Sequence, residues 1–159
     1  MVKDLTEKLS LAHLIADFCS GEPVLDDWLK RRAWQNEETG ATRTFVLCSD
    51  VDKRVMGYYS LSTGAIQREA VPGAFRRNMP EPIPIVLIAR FAVDVDYQKQ
   101  RWGGKLLREA VMRTMLISQV IGVRGLVVHA LSDNAKAFYQ RFGFVESPLQ
   151  PHTLVLPIR

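Results

Sequence analysis

The sequence FAVDVDYQKQRWGGKLL, residues 91–107, joins an apolar run to the start of an amphipathic segment. The nearly continuous apolar run at 85–93 predicts a strand that is covered on both faces. From about Gly103 a helix is predicted, and its apolar stripe consists of Leu106, Leu107, Ala110, Val111, Thr114, Met115 and Ile121. Gly122 is the predicted helix terminator. The stretch is therefore read as a strand, a loop and a helix.

The loop of this unit has the composition of a phosphate site. A helix N-terminus carries unpaired N–H groups and positive partial charge, so it binds phosphate where the chain allows close approach. Gly103 and Gly104 remove side chains at this point, and Lys99, Arg101 and Lys105 add positive charge. The pattern predicts a pyrophosphate cradle, although it is neither GxGxxG nor a Walker motif and two glycines also suit tight strand–helix packing.

The rest of the chain alternates between helical and extended patterns. The predicted elements are a helix at 25–36, strands at 42–49 and 54–65, a proline-rich irregular stretch at 67–84 with a short helix near 74–78, a strand at 125–131, a helix from about 133 to 141, and strands at 144–146 and 153–158. Gly57 suggests a bulge or a close backbone approach, and Gly143 ends the last helix. The order predicts an α/β fold, one mixed sheet flanked by helices, in a single domain over residues 1–159.

The net charge of +4 is localised. Residues 68–108 hold eight basic and four acidic side chains, whereas the remainder holds 13 of each. A local basic excess favours a polyanionic partner such as a phosphate-bearing cofactor or a nucleic acid. Solvated surface charge explains the excess equally well when it is taken alone.

Other classes of protein are disfavoured. The N-terminus lacks the apolar region of a signal peptide and no run is long enough to span a membrane, so a cytoplasmic protein without membrane contact is expected. The two cysteines, Cys19 and Cys48, form no CxxC pair, and the three histidines show no ligand spacing. No metal is therefore expected, and Cys48 is predicted to be a small buried hydrophobe.

A second motif lies about thirty residues after the loop and reads LSDNAKAFYQRFGF, residues 131–144. With residues 98–103 it resembles the GCN5-related N-acetyltransferase (GNAT) family, which shows [QR]xxGx[GA] followed by Asn-x-x-Ala-x-x-[FL]-Tyr-x-x-x-Gly-Phe. The second motif falls on Ser132, Ala135, Phe138, Tyr139, Gly143 and Phe144. Ser132 replaces the opening asparagine, and Arg101 replaces the first glycine of the loop. Arg101 is expected to adopt a right-handed helical conformation and to add a phosphate contact.

Four further segments look like the toxin branch of that family: residues 21–29 (GEPVLDDWL), 57–59 (GYY), 88–93 (IARFAV) and 127–130 (VVHA). The resemblance implies acetyl transfer from acetyl-CoA to the α-amino group of an aminoacyl-tRNA, with glycyl-tRNA as the suggested substrate. It also implies a homodimer and a ribbon-helix-helix antitoxin, through which alone the protein would reach operator DNA.

The resemblance assigns Tyr139 as the general acid that protonates the leaving CoA thiolate. The reference pKa values of tyrosine and a thiol differ by about 1.5 units, so the transfer is uphill by about 2 kcal/mol, and a positive surrounding would reduce this. No His or Glu stands out as a base, and an α-amino group with a pKa of about 8 needs little help. Aromatic packing is the alternative role for Tyr139.

The remaining site residues fall into two groups. For acetyl-CoA these are the backbone of Phe91 and Val93, the loop residues Lys99, Arg101, Trp102, Gly103, Gly104 and Lys105, and Asn134, which is alternatively a helix cap. For RNA they are Lys30, Arg31, Arg76, Arg77 and Arg90, although Lys30 and Arg31 are alternatively ordinary helix-surface charges and Arg90 is alternatively a charge at a sheet edge. Two alternatives to the toxin stay open: an enzyme that acetylates a protein N-terminus or a small-molecule amine, and a non-catalytic module that binds RNA or a partner.

Overall fold

The structure is a computed structural model that describes residues 4–158. Its helices are α1 Pro23–Arg31, α2 Ala33–Thr39, α3 Gly73–Arg76, α4 Trp102–Ser118 and α5 Asp133–Arg141. Its strands are β1 Glu7–Lys8, β2 Arg43–Cys48, β3 Val55–Ile66, β4 Ile83–Val93, β5 Gly125–His129, β6 Val145–Glu146 and β7 Thr153–Pro157. The strands follow the order β1-β2-β3-β4-β5-β7-β6, and β4 pairs with β5 in parallel while β5 and β7 are antiparallel. This confirms the predicted mixed sheet flanked by helices.

The chain divides into two compact units, and strands β3 and β4 contribute to both. Unit 1 contains residues 4–62 and 89–110, and unit 2 contains residues 63–88 and 111–158. The prediction of one domain over 1–159 also takes in residues 1–3 and 159, which lie outside the described residues, and it stays a prediction.

An aromatic cluster forms the core of unit 1. The Trp28 ring of α1 stacks on Tyr58 of β3 with centroids 6.0 Å apart, and Phe18 meets Tyr58 edge-on at 5.6 Å. The Tyr58 hydroxyl donates to the Leu25 carbonyl oxygen at 2.7 Å. Each aromatic pair adds about 0.5–1.5 kcal/mol to the burial of its rings. Helix α1 is thereby held on the sheet.

The single helix predicted at 25–36 is wrong, because the structure has two helices. The chain breaks at Arg32, whose φ of −121° and ψ of −30° leave the helical region. The apolar spacing continues across the break to Ala33, which is fully buried, so the sequence pattern gives no sign of it. Helix α1 starts two residues early because Pro23 suits a first helical position.

Both expectations for Gly57 are confirmed. Leu47 pairs with Gly57 whereas Cys48 pairs with Val55, so Met56 is left unpaired in a bulge. A Cβ at Gly57 would lie 3.2 Å from the Ala92 carbonyl oxygen, so the neighbouring strand could not approach as closely with any other residue.

The core of unit 2 lies around the parallel pair of β4 and β5. Ile85 and Val127 are buried there with Val155 of β7 and with Phe75 of α3, the short helix that the sequence predicted near 74–78. A Cβ at Gly125 would lie 3.1 Å from the Phe75 ring. The irregular stretch before β4 therefore packs on the sheet rather than forming a solvent loop.

The predicted end of the long helix is wrong. Helix α4 ends at Ser118, and the amides of Val120 and Ile121 both donate to the Ile117 carbonyl in a closing turn, without a left-handed glycine. The apolar stripe is right for its first part, where Leu106, Leu107, Ala110 and Thr114 are buried. Met115 and Ile121 are 45% and 56% exposed, so fewer residues are buried than the predicted apolar stripe contains. Across residues 4–158 no helix is long and apolar enough to cross a membrane.

Candidate active site

Residues 98–105, here called the cofactor loop, end in the first turn of α4. Lys99 and Arg101 both have left-handed backbones, with φ of +66° and +67°. The expectation of a right-handed Arg101 is therefore wrong, and Arg101 keeps the conformation that suits the glycine it replaces. A left-handed side-chain-bearing residue costs about 1–2 kcal/mol, so the surrounding contacts impose this geometry.

The start of α4 presents backbone donors. The Lys105 amide donates to the Arg101 carbonyl at 3.3 Å, which makes Arg101 the residue that precedes the helix. The N–H groups of Trp102, Gly103 and Gly104 therefore lie in the first turn. N–H groups in the first turn of a helix have no carbonyl acceptor within that helix. The Lys105 ammonium lies over the Trp102 ring at 4.7 Å. Helix N-terminus, two glycines and three cations together fit a pyrophosphate.

An aspartate at the end of β4 shapes the approach to this loop. Asp94 is 1% exposed, and its Oδ1 accepts from the Asp96 amide at 3.0 Å. The Asp94 carbonyl oxygen accepts from the amides of Tyr97 and Gln98 at 2.9 and 3.1 Å. Sequence reasoning missed this residue, although Asp before a tight turn is a signal for such a side-chain bond.

The end of β4 contains two of the expected cofactor contacts. Val93 is buried and Phe91 is half-buried. The Val93 carbonyl oxygen accepts a hydrogen bond from Gln98 Nε2 at 2.8 Å, so this carbonyl already has a partner in the cofactor loop. The proposed pairing of the pantetheine arm with this backbone stays a prediction.

Arg90 lies one residue before Phe91, with its guanidinium over an aromatic ring. Its guanidinium carbon is 5.1 Å from the centroid of Trp28, and its Nη1 donates to the Ala89 carbonyl oxygen at 2.6 Å. Among residues 4–158 its buried Nε has no hydrogen-bond partner. The aromatic ring and the backbone carbonyl thus fix the guanidinium of Arg90, and a fixed guanidinium suits a phosphate ligand. Lys30 and Arg31 are exposed in the last turn of α1, the helix that carries Trp28.

Tyr139 lies in unit 2, on α5, and is 5% exposed. Its ring packs against Phe138 and Phe144 with centroids 5.3 and 5.6 Å away. Burial raises the pKa of the Tyr139 hydroxyl above its ordinary value. The hydroxyl stays protonated at neutral pH, as a general acid requires.

The local frame of α5 follows its motif. The Ser132 hydroxyl caps the helix by accepting from the Ala135 amide at 3.1 Å, and Gly143 has a φ of +95° after the last turn. The cap belongs to Ser132, so the alternative role of Asn134 as the cap is wrong. Asn134 is exposed in the first turn and stays a candidate cofactor contact.

The two arginines of the irregular stretch differ. Arg76 Nε donates to the Val71 carbonyl oxygen at 3.0 Å and its Nη2 donates to that of Glu69 at 3.2 Å. Arg76 therefore ties α3 to the segment before it. Arg77 is exposed and has no ion pair or side-chain hydrogen bond within residues 4–158. Of the pair, Arg77 is the side chain that is available to a phosphate.

Only one group of His, Cys and acidic side chains in the described chain has metal-like spacing. The ligand atoms of Glu7, His13 and Cys48 lie within 4.8 Å of one another. The Ser10 amide donates to His13 Nδ1 at 3.0 Å, so Nε2 bears the proton and donates to Glu7 Oε1 at 2.7 Å. Lys53 also donates to Glu7 at 2.9 Å. The cluster is thus satisfied as a hydrogen-bond network, and a metal on Nε2 would leave two donors facing each other at Nδ1.

The predicted site residues divide between the units. Unit 1 contains Lys30, Arg31, Arg90, Phe91, Val93, Lys99, Arg101, Trp102, Gly103, Gly104 and Lys105, and unit 2 contains Arg76, Arg77, Asn134 and Tyr139. Unit 1 therefore contains the cofactor loop and the α1 cations, whereas unit 2 contains the tyrosine.

Comparison with known proteins gives a consistent result. Residues 40–146 match the family model of the acetyltransferase (GNAT) domain. A tRNA-acetylating toxin of Mycobacterium tuberculosis is 44% identical to this chain over 149 residues, which are 94% of this chain and 89% of the relative.

Solved structures agree over almost the whole chain. AtaT complexed with acetyl-methionyl-tRNAfMet has a TM-score of 0.90 and 28% identity, and the match covers 96% of this chain and 93% of that one. AtaTR bound with acetyl-CoA has a TM-score of 0.84 and 28% identity, with 96% and 92% covered. The AtaT–AtaR complex bound to DNA has a TM-score of 0.78 and 26% identity, with 96% and 93% covered.

Proposed function

The chain belongs to the GNAT acetyltransferase family, and from that membership we propose that it acetylates the α-amino group of an aminoacyl-tRNA and so blocks translation. The observation that carries the proposal is the likeness to a tRNA-acetylating toxin over nearly the full length. The basic residues of α1 and the oriented guanidinium of Arg90 support an RNA acceptor.

Acetyl-CoA is the co-substrate, and it supplies an acetyl thioester. The cofactor loop would hold its pyrophosphate through the amides of Trp102, Gly103 and Gly104, with Lys99 and Arg101 as charge partners. No step of acetyl transfer calls for a metal, and the metal-like cluster at Glu7 is already satisfied.

The chemistry is an attack of the neutral α-amino group on the thioester carbonyl carbon. A C–N bond forms, the C–S bond breaks, and the amine loses one proton to solvent. Tyr139 donates its hydroxyl proton to the departing sulfur and then regains a proton from solvent, and its raised pKa keeps the proton in place until the thiolate develops. Because an α-amino pKa is about 8, a useful fraction of the amine is neutral without a dedicated base.

The partners follow from the same proposal. We propose a ribbon-helix-helix antitoxin that neutralises the enzyme, contact with operator DNA only through that antitoxin, and a homodimer as the active form. The solved AtaT–AtaR complex with DNA supports the antitoxin arrangement. Charged tRNA and acetyl-CoA are both cytoplasmic, so we place the enzyme there.

The test is direct. Purified protein is incubated with radiolabelled acetyl-CoA and total charged tRNA, and label is followed into RNA. Label that enters RNA and leaves on mild deacylation supports the proposal, and purified glycyl- and methionyl-tRNA then compare the two amino acids. A protein that binds acetyl-CoA but labels only protein N-termini or polyamines would contradict the tRNA acceptor, and one that labels no amine would favour a non-catalytic module.

A further inference from the structure

Gln98, the first residue of the cofactor loop, connects two other segments of unit 1. Its Nε2 donates to the Ser20 carbonyl oxygen and to the Val93 carbonyl oxygen, both at 2.8 Å. A side-chain amide has two N–H groups, so both donors of Gln98 are in use. One contact ties the loop to the end of β4, and the other ties it to a residue 78 positions earlier in the chain.

Ser20 is in turn fixed to helix α1. Its amide donates to both carboxylate oxygens of Asp26 at 3.0 and 3.1 Å, and its hydroxyl donates to Asp26 Oδ1 at 2.6 Å. Asp26 is 8% exposed in the first turn of α1. Hydrogen bonds to a carboxylate are about twice as strong as neutral ones. Helix α1, Ser20 and Gln98 thus form one continuous polar chain.

A second tie runs beside the first. The Cys19 amide donates to Asp94 Oδ2 at 3.0 Å, and the Val95 amide donates to the Cys19 carbonyl oxygen at 2.8 Å. The buried Asp94 carboxylate also has the Arg54 guanidinium 3.9 Å away, which balances its charge. Cys19 and Ser20, which precede α1, are therefore hydrogen-bonded to residues at both ends of the turn at 94–98 that leads into the cofactor loop.

We propose that Gln98 is a positioning residue whose two hydrogen bonds, to Ser20 and Val93, hold the cofactor loop in its pyrophosphate-binding conformation and connect it to helix α1. The inference rests on the proposed function, since it takes acetyl-CoA as the ligand of that loop. Residues 99 and 101 follow Gln98 directly in left-handed conformations. Such conformations persist only where the surrounding structure imposes them, and the Gln98 contacts do so.

Two variants of Gln98 test its hydrogen bonds, one by removing the side-chain amide and one by replacing its N–H donors with carboxylate oxygens. Gln98→Ala removes both donors. Gln98→Glu keeps the shape but sets carboxylate oxygens against two carbonyl oxygens, so it should do more harm. The matched control is Gln35→Ala, because Gln35 is an exposed glutamine of α2, in the same unit but outside the cofactor loop.

The experiment measures binding of acetyl-CoA and of S-acetylpantetheine, which lacks the pyrophosphate, by titration calorimetry or competition, with melting temperatures recorded alongside. Gln98→Ala should weaken acetyl-CoA binding about tenfold, because the loop loses both hydrogen bonds that hold it before the ligand binds. Gln98→Glu should weaken it further. Binding of S-acetylpantetheine should change less than twofold in both, and Gln35→Ala should match the wild type with both ligands.

A second arm tests the connection to α1. Asp26→Asn leaves fewer acceptors for Ser20, so it should weaken acetyl-CoA binding by about threefold alone and add little to Gln98→Ala in the double variant. Additive effects would overturn the connection.

Two further results would count against the inference. A folded Gln98→Ala protein with wild-type affinity for acetyl-CoA would overturn it, and equal losses for both ligands would show a merely structural role. A wild-type protein that binds no acetyl-CoA would instead remove the proposed function, which is a distinguishable failure. None of these measurements uses tRNA, so the inference holds even if the acetyl acceptor is not an aminoacyl-tRNA.

Discussion

The cofactor loop and the surroundings of Tyr139 are built in opposite ways. The loop is exposed and charged, and its shape depends on backbone angles that Lys99 and Arg101 adopt at a cost. Tyr139 is buried among aromatic rings on a regular helix with an ordinary cap. The first region is set by hydrogen bonds from distant segments, and the second by local packing. Substitutions should therefore alter affinity in the first region and turnover in the second.

The largest expected effect follows from Tyr139→Phe. Loss of the general acid should lower turnover by about 10²–10⁴-fold, while the ring stays packed and acetyl-CoA affinity and melting temperature are unchanged. Single-turnover acetylation and calorimetry measure the two quantities. Tyr58→Phe is the control, since it also removes a buried tyrosine hydroxyl, one that donates to Leu25 in unit 1. Near-normal turnover in Tyr139→Phe would remove the tyrosine from the mechanism.

The pH profile examines the same region without a substitution. Because burial raises the pKa of Tyr139, its hydroxyl stays protonated beyond the ordinary value of about 10. Turnover should rise from pH 7 to 9 as the substrate amine loses its proton, and it should not fall before pH 10. A decline with a midpoint below pH 9 would indicate an acid that ionises more easily than this buried tyrosine.

Charge reversal in the irregular stretch has an intermediate expected effect. Arg77→Glu should weaken tRNA binding several-fold and leave acetyl-CoA affinity unchanged. It should also reduce the magnitude of the slope of log tRNA affinity against log salt concentration by about one or two. Arg76→Glu should in addition lower the melting temperature, because Arg76 holds two backbone carbonyls. Filter binding at several salt concentrations and a thermal melt measure these effects. If Arg77→Glu lowers acetyl-CoA affinity as much as tRNA affinity, the RNA assignment is wrong.

The smallest effect concerns the backbone of the loop. Arg101→Gly should stabilise the protein by about 1 kcal/mol, since glycine adopts the left-handed region at no steric cost. Arg101→Ala keeps that cost and should give no gain. Both variants lose the guanidinium and should bind acetyl-CoA a few-fold more weakly. Urea denaturation distinguishes them, and equal stabilities would show that the left-handed conformation of Arg101 carries no strain.

The parts that sequence reasoning predicted well are those with local causes. Apolar periodicity located β4, the start of α4 and the fold class, and the motif ending in Gly143 located α5 with Tyr139. Strand β1 was missed because two exposed residues have no readable pattern.

The errors have non-local causes. The break at Arg32 interrupts an unbroken apolar spacing, so no local pattern marks it. The left-handed Arg101 follows Gln98 and Asp94, which have partners at Ser20 and Cys19, more than 70 positions away, so its backbone conformation has no local signal.

The ties around Cys19 have a practical consequence. Its thiol is exposed, whereas Cys48 is half-buried and burial raises the pKa of that thiol. A maleimide dye at neutral pH should therefore label Cys19 first. The label would sit beside the Asp94 and Gln98 contacts, so its fluorescence could report in real time how the loop responds when acetyl-CoA is mixed in a stopped-flow cell.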